Sequence, residues 1–396
     1  MIAWLLISFF VLLFLGVPIA MSLGLSAMGG ILFLGGGSTV TIAQRMFEGM
    51  NSFALLAIPL YTFAGFTMSK GGISKRLMDF CYSIVGHIYG GLAHVNVLSS
   101  MIFAGISGSA VADTAGVSGM FMPEMIRKGY SKNFTVAVTA ISSTIGIIIP
   151  PSIPMVVIAG ICGISTGKLF LGGIIPGILC GLAQMIVSYF LAKKEGVPKE
   201  PGHFTIGPVL HGLWESWPAL LMPIIIVGTI TMGIVSPTEA GVIAVVYGLF
   251  AGGIIYRELK WEDIKFAFAE TVRTSGRIFI VIGAAKLYTV MLTTAGFDKW
   301  VAKTMLGFST NPTVILIMIL LIFFIVTMFM ESIATLTLFM PILYPIALGV
   351  GIDPIVLSVL ITVVIGIGLV TPPVGMCIYV ACDLMDTTVG EVFPTL

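Results

Sequence analysis

Charge is what this sequence has least of: only 9% of its 396 residues are Asp, Glu, Lys or Arg, where a soluble domain carries about a quarter. A soluble fold is excluded. The formal net charge of +1 leaves no basic surplus for nucleic acid, so the 19 Lys and Arg serve as markers of which loops face the cytoplasm. Cysteine is scarce and unpatterned. Cys81, Cys162, Cys180, Cys377 and Cys382 lie in apolar stretches with no CxxC or His-paired spacing, and read as small packing residues. The four histidines carry no ligand spacing either. No basic leader precedes Arg45, the first charge in the chain, so no cleavable signal peptide is expected and residues 1–36 count as membrane structure. The apolar runs continue well past the roughly ten residues of a barrel strand and do not alternate, which argues against a β-barrel.

Hydrophobic residues make up 58% of the chain, with mean hydropathy +1.11, 47 Gly and 26 Phe. That supplies about ten helical spans of ~20 residues, the length that crosses a hydrocarbon core. The expected class is an all-α polytopic membrane protein.

Internal symmetry organises it. Phe121-Met122-Pro123 recurs as Phe339-Met340-Pro341, each with an acid eight residues upstream, Asp113 and Glu331. Gly146-Ile147-Ile148-Ile149-Pro150-Pro151 is echoed by Gly368-Leu369-Val370-Thr371-Pro372-Pro373. Leu60-Tyr61-Thr62 matches Leu287-Tyr288-Thr289, Gly72-Ile73-Ser74-Lys75 matches Gly296-Phe297-Asp298-Lys299, and Val17-Pro18 is answered by Ser236-Pro237. These ordered matches, offset by about 220 residues, define repeats at 1–192 and 218–396 joined by a polar linker, 193–217, that contains Lys193, Lys194, Glu195, Lys199, Glu200 and Pro201.

If the loops around 70–76, 127–132, 193–203 and 257–277 are cytoplasmic, they hold most of the cations, leaving Arg45, Lys168, Lys299 and Lys303 on the other side. The corresponding loops 70–76 and 296–303 then fall on opposite faces, so the repeats are expected to be inverted in topology. That parity requires two short spans inside residues 2–36, bent near Pro18, and a periplasmic N-terminus.

Each repeat also holds two stretches rich in Gly, Ser, Thr and Pro where a membrane helix should continue. Gly105-Ile106-Ser107-Gly108-Ser109 interrupts an apolar run before the chain returns to Arg127, the pattern of a hairpin that enters and leaves on one side. Ile149-Pro150-Pro151-Ser152-Ile153-Pro154 deletes amide donors and breaks a second helix. Their counterparts are Thr327–Ser332 and Val370-Thr371-Pro372-Pro373. Hairpins are expected over about 89–127 and 308–346, and broken helices over about 133–164 and 354–382. Non-helical backbone at membrane depth is tolerated only where it lines a protein cavity or binds something. Unwound carbonyls with Ser and Thr hydroxyls suit a hard monovalent cation, while half-helix N-termini suit an anion; sodium and a carboxylate are the natural pair. Scattered glycines such as Gly29, Gly30, Gly172 and Gly173 read as helix packing. Asp113, Glu239, Glu331 and Lys286 sit in apolar runs, where an ionisable group costs several kcal/mol to insert and is either a coupling group or a hydrogen-bonded structural one.

The motifs Gly105-Ile106-Ser107-Gly108-Ser109-Ala110-Val111-Ala112-Asp113, Pro150-Pro151-Ser152, Ser236-Pro237-Thr238-Glu239-Ala240-Gly241 and Thr371-Pro372-Pro373-Val374-Gly375 resemble the large membrane subunit of the tripartite ATP-independent periplasmic (TRAP) transporters, over nearly the whole chain. The resemblance implies an elevator-type secondary transporter of the ion-transporter superfamily in the bacterial inner membrane. It would be driven by sodium without further cofactor, and would work with a small membrane subunit of four spans and a periplasmic solute-binding protein. Substrates would be organic acids such as sialic acids, dicarboxylates or keto acids. Mapped onto this sequence, the family's hairpin tips fall on Ser107–Ser109 and Thr327–Ser332, and its broken helices on Gly146–Ser152 and Gly366–Pro373. One sodium site is then expected at Ser107, Ser109, Gly146 and Pro150, and a second at Thr327, Gly366, Thr371 and Pro372. The substrate carboxylate is expected at Ser143, Ser152 and Thr335. Spans 2–36, 169–192 and 218–256, with amphipathic stretches 39–50 and 257–270, would form a static scaffold. Against the repeat, the partner of span 169–192 should begin near Glu391, so a final span is expected to be missing.

Two other readings compete. A stand-alone divalent-anion/sodium symporter of similar hairpin architecture would need no binding protein. An intramembrane aspartyl protease would use two membrane acids, but neither Tyr-Asp nor Gly-x-Gly-Asp is present. Phosphate-binding glycine loops are absent as well, which argues against direct ATP coupling.

Overall fold

The computed structural model describes residues 1–34, 38–197 and 204–396; Lys199, Glu200, Pro201 and His203 of the linker, and the end of the 2–36 stretch, lie outside the described residues. Among the described residues every regular element is helical. The first half runs α1 (Ile2–Phe14), α2 (Ile19–Leu34), α3 (Thr39–Met50), α4 (Ala57–Lys70), α5 (Ile73–Val85), α6 (Gly91–Ser107), α7 (Ala110–Arg127), α8 (Lys132–Ser143), α9 (Ile153–Cys162) and α10 (Thr166–Glu195). The second runs α11 (Ile206–Thr231), α12 (Pro237–Phe250), α13 (Trp261–Thr294), α14 (Phe297–Phe308), α15 (Pro312–Thr327), α16 (Ser332–Gly349), α17 (Pro354–Gly368), α18 (Met376–Leu384) and α19 (Val389–Val392).

Local chemistry sets these boundaries. Ser38, Ser109, Ser131, Ser152, Ser165 and Ser236 each accept, through the hydroxyl oxygen, from an amide of the first turn they precede, and Asn311 and Asp353 accept through their Oδ1 atoms, with proline at the first helical position. Gly108, Gly163 and Gly196 end α6, α9 and α10 at positive φ, a conformation that glycine adopts without a Cβ penalty.

Among the described residues, six helices are long and apolar enough to cross a membrane: Phe53–Lys70, Thr166–Glu195, Ile206–Thr231, Pro237–Ile255, Trp261–Thr294 and Ser332–Gly349. The composition suggests about ten full spans; the difference arises because apolar sequence is also divided into shorter helices, including α1, α2, α6, α9, α15 and α17. The Pro18 bend is present, with α1 and α2 packed side by side across it.

Of the polar linker 193–217, Lys193–Glu195 complete α10 and Ile206–Trp217 form the first turns of α11. From Trp261 the amphipathic stretch 257–270 runs unbroken into the 34-residue α13. In the first half the equivalent path is interrupted at Asn51-Ser52, which leaves α3 as its own amphipathic helix packed on α13.

The halves exchange partners. α2 packs on α13 and α12 packs on α4, so an early helix of each half lies against a helix of the other. Tyr61 on α4 donates its hydroxyl to Pro237 O at 2.8 Å, and Tyr288 on α13 donates to Leu5 O at 2.9 Å. Glycine sets how closely helices meet. A Cβ on Gly173 of α10 would stand 2.5 Å from Ile148 O, a backbone atom, whereas one on Gly228 of α11 would meet nothing within 4 Å. Forcing side-chain volume into a packed contact costs about 1–3 kcal/mol. Gly173→Val is therefore expected to lower the thermal unfolding midpoint of the purified protein by several degrees. Gly228→Val should leave it unchanged, and an equal effect of the two substitutions would rule out close packing as the reason for Gly173.

Candidate functional site

The first break begins where α6 stops. Ser107 is its last residue, Gly108 turns the chain at φ 64°, and Ser109 caps α7 by accepting from Ala112 N at 3.4 Å. Asp113, in the first turn of α7, is completely buried. One carboxylate oxygen, Oδ1, accepts the Ser107 hydroxyl at 2.7 Å. The other, Oδ2, is buried without a hydrogen-bond partner.

Opposite this hairpin tip, α8 runs into a tight turn at Thr144–Ile147 and the chain stays irregular until Ser152 caps α9. Gly146 packs against Asp113: a Cβ there would lie 2.6 Å from Oδ2 and 3.5 Å from the Ser109 carbonyl carbon. The strands of irregular backbone are also joined, since Ile153 N donates to Gly108 O at 3.1 Å, and Pro150 O lies close to Gly105. Ser107, Ser109, Asp113 and Gly146 thus converge, while Pro150 lies against Gly105 one turn away. Pro150-Pro151 is cis, as is Pro372-Pro373.

The second break repeats this plan with different side chains. α15 ends at Thr327, Glu331 caps α16, and Val374 N donates to Met328 O at 3.1 Å, joining the tip to the break after α17. The glycine that meets the tip is Gly368, where a Cβ would collide with Thr327 Oγ1. Gly366 faces elsewhere. A Cβ on it would lie 3.4 Å from Thr144 of the first break, so Gly368 and not Gly366 stands at the tip that Thr327 forms. The signal was in the sequence, because Gly146 and Gly368 hold the same place in the repeated motif. Thr371 donates its hydroxyl to Ile367 O at 2.7 Å and, like Pro372, is half-exposed.

The two acids differ in bonding. Glu331 Oε1 accepts from the Ser332 hydroxyl at 2.6 Å, and Oε2 accepts from Ile333 N at 2.9 Å and Ala334 N at 3.4 Å. Both of its oxygens are used. Glu239 stands apart from both breaks: it is exposed, and it completes a capping box with Ser236 at the start of α12. Lys286 packs its stem on Gly49 of α3.

Ser143, Ser152 and Thr335 are fully buried. Their hydroxyl protons go to Thr139 O at 2.7 Å, Ile147 O at 2.5 Å and Glu331 O at 3.1 Å. A hydroxyl so engaged accepts but does not donate. Binding a carboxylate through them would require those local bonds to open. Cys377, read from the sequence as a packing residue, is buried, and its amide also donates to Leu369 O at 3.0 Å across the second break.

These contacts interlock the two halves. α18 packs on α7 and α9 packs on α16, so the piece after each break rests on the other half's hairpin. No ion pair reaches Asp113 or Glu331 among the described residues, and these residues contain no cluster of three His, Cys, Asp or Glu suited to a metal ion. A buried carboxylate oxygen without a hydrogen-bond partner is costly unless something balances it.

The helices and their paired breaks define a multi-pass membrane transport permease. The family model for the tripartite ATP-independent periplasmic transporter, DctM component, matches residues 6–396, and the chain belongs to that family. It is 37% identical over 383 residues to the isethionate TRAP transporter permease protein DctMQ of Oleidesulfovibrio alaskensis, covering 97% of this chain but only 60% of that protein. It is 36% identical to the sialic acid TRAP transporter large permease protein SiaM of Vibrio cholerae, over 95% of this chain and 88% of that one. Identity is also 36% to the C4-dicarboxylate TRAP transporter large permease protein DctM of Pseudomonas aeruginosa, over 93% and 86% of the two chains. These relatives are permeases, not enzymes. The solved structure of the Alcanivorax borkumensis YdaH transporter superposes with a TM-score of 0.61 at 13% identity, covering 89% of this chain and 83% of that one, which is a likeness of fold.

The glycines make the site testable. Gly146→Ala would push on Asp113 and Gly368→Ala on Thr327, each forcing a tip away from its break. Each is expected to lower uptake by reconstituted protein at least tenfold, whereas Gly349→Ala, in open space, should not. Normal uptake by both tip variants would show that these close approaches are not needed.

Proposed function

We propose that this chain is the large permease subunit of a sodium-coupled, three-component uptake system for an organic acid in the bacterial inner membrane. A periplasmic solute-binding protein delivers the substrate, and a small four-span membrane subunit braces the scaffold. Family membership supports the class. The observation that carries sodium coupling is the unpartnered Oδ2 of Asp113, buried against Gly146 and Ser109 with no basic residue paired to it.

In this reading Ser107, Ser109, Asp113, Gly146 and Pro150 hold one sodium ion. Thr327, Thr371, Pro372 and Gly368 hold a second through hydroxyl and carbonyl dipoles, with Glu331 keeping the tip in shape. The substrate lies between them, near Ser143, Ser152 and Thr335. Relatives named for isethionate, sialic acid and C4-dicarboxylates share an acidic substrate, and a small organic acid with a carboxylate or sulfonate is the class assigned here.

The test is uptake by the reconstituted complex with its binding protein. Uptake should rise with sodium with a Hill coefficient above one, and Ser107→Ala should weaken that dependence. Uptake that is unchanged when choline replaces sodium at constant pH would defeat the proposal.

The repeats 1–192 and 218–396 are read as inverted in topology, and transport as an elevator motion in which hairpins and broken helices slide as one body along α1, α2, α10, α11 and α12. Gly105 on the first hairpin lies against Pro223 of α11, where a Cβ would be 2.8 Å from the proline Cβ. In a background without the five native cysteines, joining Gly105→Cys to Pro223→Cys with a short crosslinker should abolish uptake while sodium binding survives. Undiminished uptake by the crosslinked protein would exclude sliding at this contact.

A further inference from the structure

On the outer face of the molecule, α6 and α10 diverge to leave a groove lined by Ile88, His94, Met185, Ile186, Tyr189 and Phe190. The groove belongs to neither break. Its α10 wall is apolar and open to the surroundings, with Ile186 59% and Phe190 64% exposed. His94 is buried in its floor; Nε2 is within 3.2 Å of Tyr89 O while Nδ1 has no partner. Tyr89, His94 and Tyr189 form an aromatic cluster, the kind of ring set that collects where hydrocarbon meets headgroups.

The charge at the end of this groove identifies its occupant. Lys193 follows Tyr189 by four residues on α10, and Lys194 follows Phe190 by four, so both lysines continue the groove-lining face one turn further along. A Cβ on Gly90, just before α6, would lie 2.6 Å from Ala192, which brings the start of α6 beside them. The neighbouring acid is turned away, because Glu195 accepts the Ser131 hydroxyl at 2.7 Å. Both lysines are exposed and in no ion pair among the described residues.

We propose that this groove is a binding site for an anionic glycerophospholipid, one acyl chain lying over Ile88, Met185, Ile186 and Phe190 and the phosphate held by Lys193 and Lys194. An apolar trough capped by two unpaired cations matches a molecule with a long hydrocarbon chain and a charged head, and basic clusters at the cytoplasmic ends of helices attract such lipids. A soluble anion would have no use for the trough. A protein partner would leave the lysines without a counter-charge unless it brought an acid of its own.

Native mass spectrometry of the purified complex, supplied with phosphatidylglycerol or phosphatidylcholine of matched chains, tests this. Phosphatidylglycerol should be retained at least fivefold better. The double variant Lys193→Gln/Lys194→Gln should remove that preference, and Ile186→Trp, which fills the trough without changing charge, should lower retention of both lipids. Unfolding midpoints measured alongside confirm that the variants are folded. Equal retention of the two lipids, retention untouched by either variant, or displacement by glycerol phosphate lacking chains would overturn the proposal. So would loss of bound lipid whenever the small membrane subunit is present, since a protein would then cover the groove.

Discussion

Inside hydrocarbon, a backbone amide or carbonyl without a partner costs several kcal/mol, and the architecture follows from where this chain leaves helix. It does so at 108–109 and 148–152, and again at 328–331 and 369–375. In both halves the gaps face each other, and each supplies what the other lacks: Ile153 N bonds Gly108 O, and Val374 N bonds Met328 O. Two further carbonyls are bridged from within, by the Ser152 hydroxyl on Ile147 O and by the Cys377 amide on Leu369 O. Neither a hairpin tip nor a broken helix would be stable alone at membrane depth. They are positioned as pairs, and a site made of hydroxyls and carbonyls is the consequence.

Pairing of this kind needs close approach, and close approach needs glycine. Gly146 and Gly368 admit the tips, and Gly173 lets α10 reach the backbone of the first break. Packing then extends the pairing across the whole chain, since α18 rests on the first hairpin and α9 on the second. A displacement of either tip is therefore felt by the break in its own half and by the second piece of the other half's broken helix.

Much of this was legible because glycine, proline and serine act locally: a double proline breaks a helix whatever surrounds it, and a serine before an apolar run caps one. The capping box at Ser236 and Glu239 was equally local, yet an acid inside an apolar run is easily read as an intramembrane group. What could not be read depends on helix phase and neighbours. The choice between Gly366 and Gly368 turns on which side of α17 faces Thr327, and the repeat motif, not the local sequence, holds that information. Whether Ser143, Ser152 and Thr335 offer a proton depends on nearby carbonyls that take it first. The continuity of α13 was hidden because its amphipathic first turns and apolar remainder have different compositions, as two separate helices would.

The acids Asp113 and Glu331 occupy matched places in the sequence but not in the chemistry. Glu331 stands at the N-cap of α16, where the first-turn amides are unclaimed, and bonds Ile333 N, Ala334 N and Ser332 Oγ. The shorter Asp113, set one turn inside α7 where amides are already committed to helix bonds, reaches only Ser107 and keeps an oxygen free. One tip thus holds a carboxylate with an unpartnered oxygen and the other a carboxylate whose oxygens are both bonded. On the sodium reading, Asp113 offers the first cation a free oxygen directly, whereas the second meets hydroxyls and carbonyls because both oxygens of Glu331 are already bonded. That difference is set by where each acid stands on its helix.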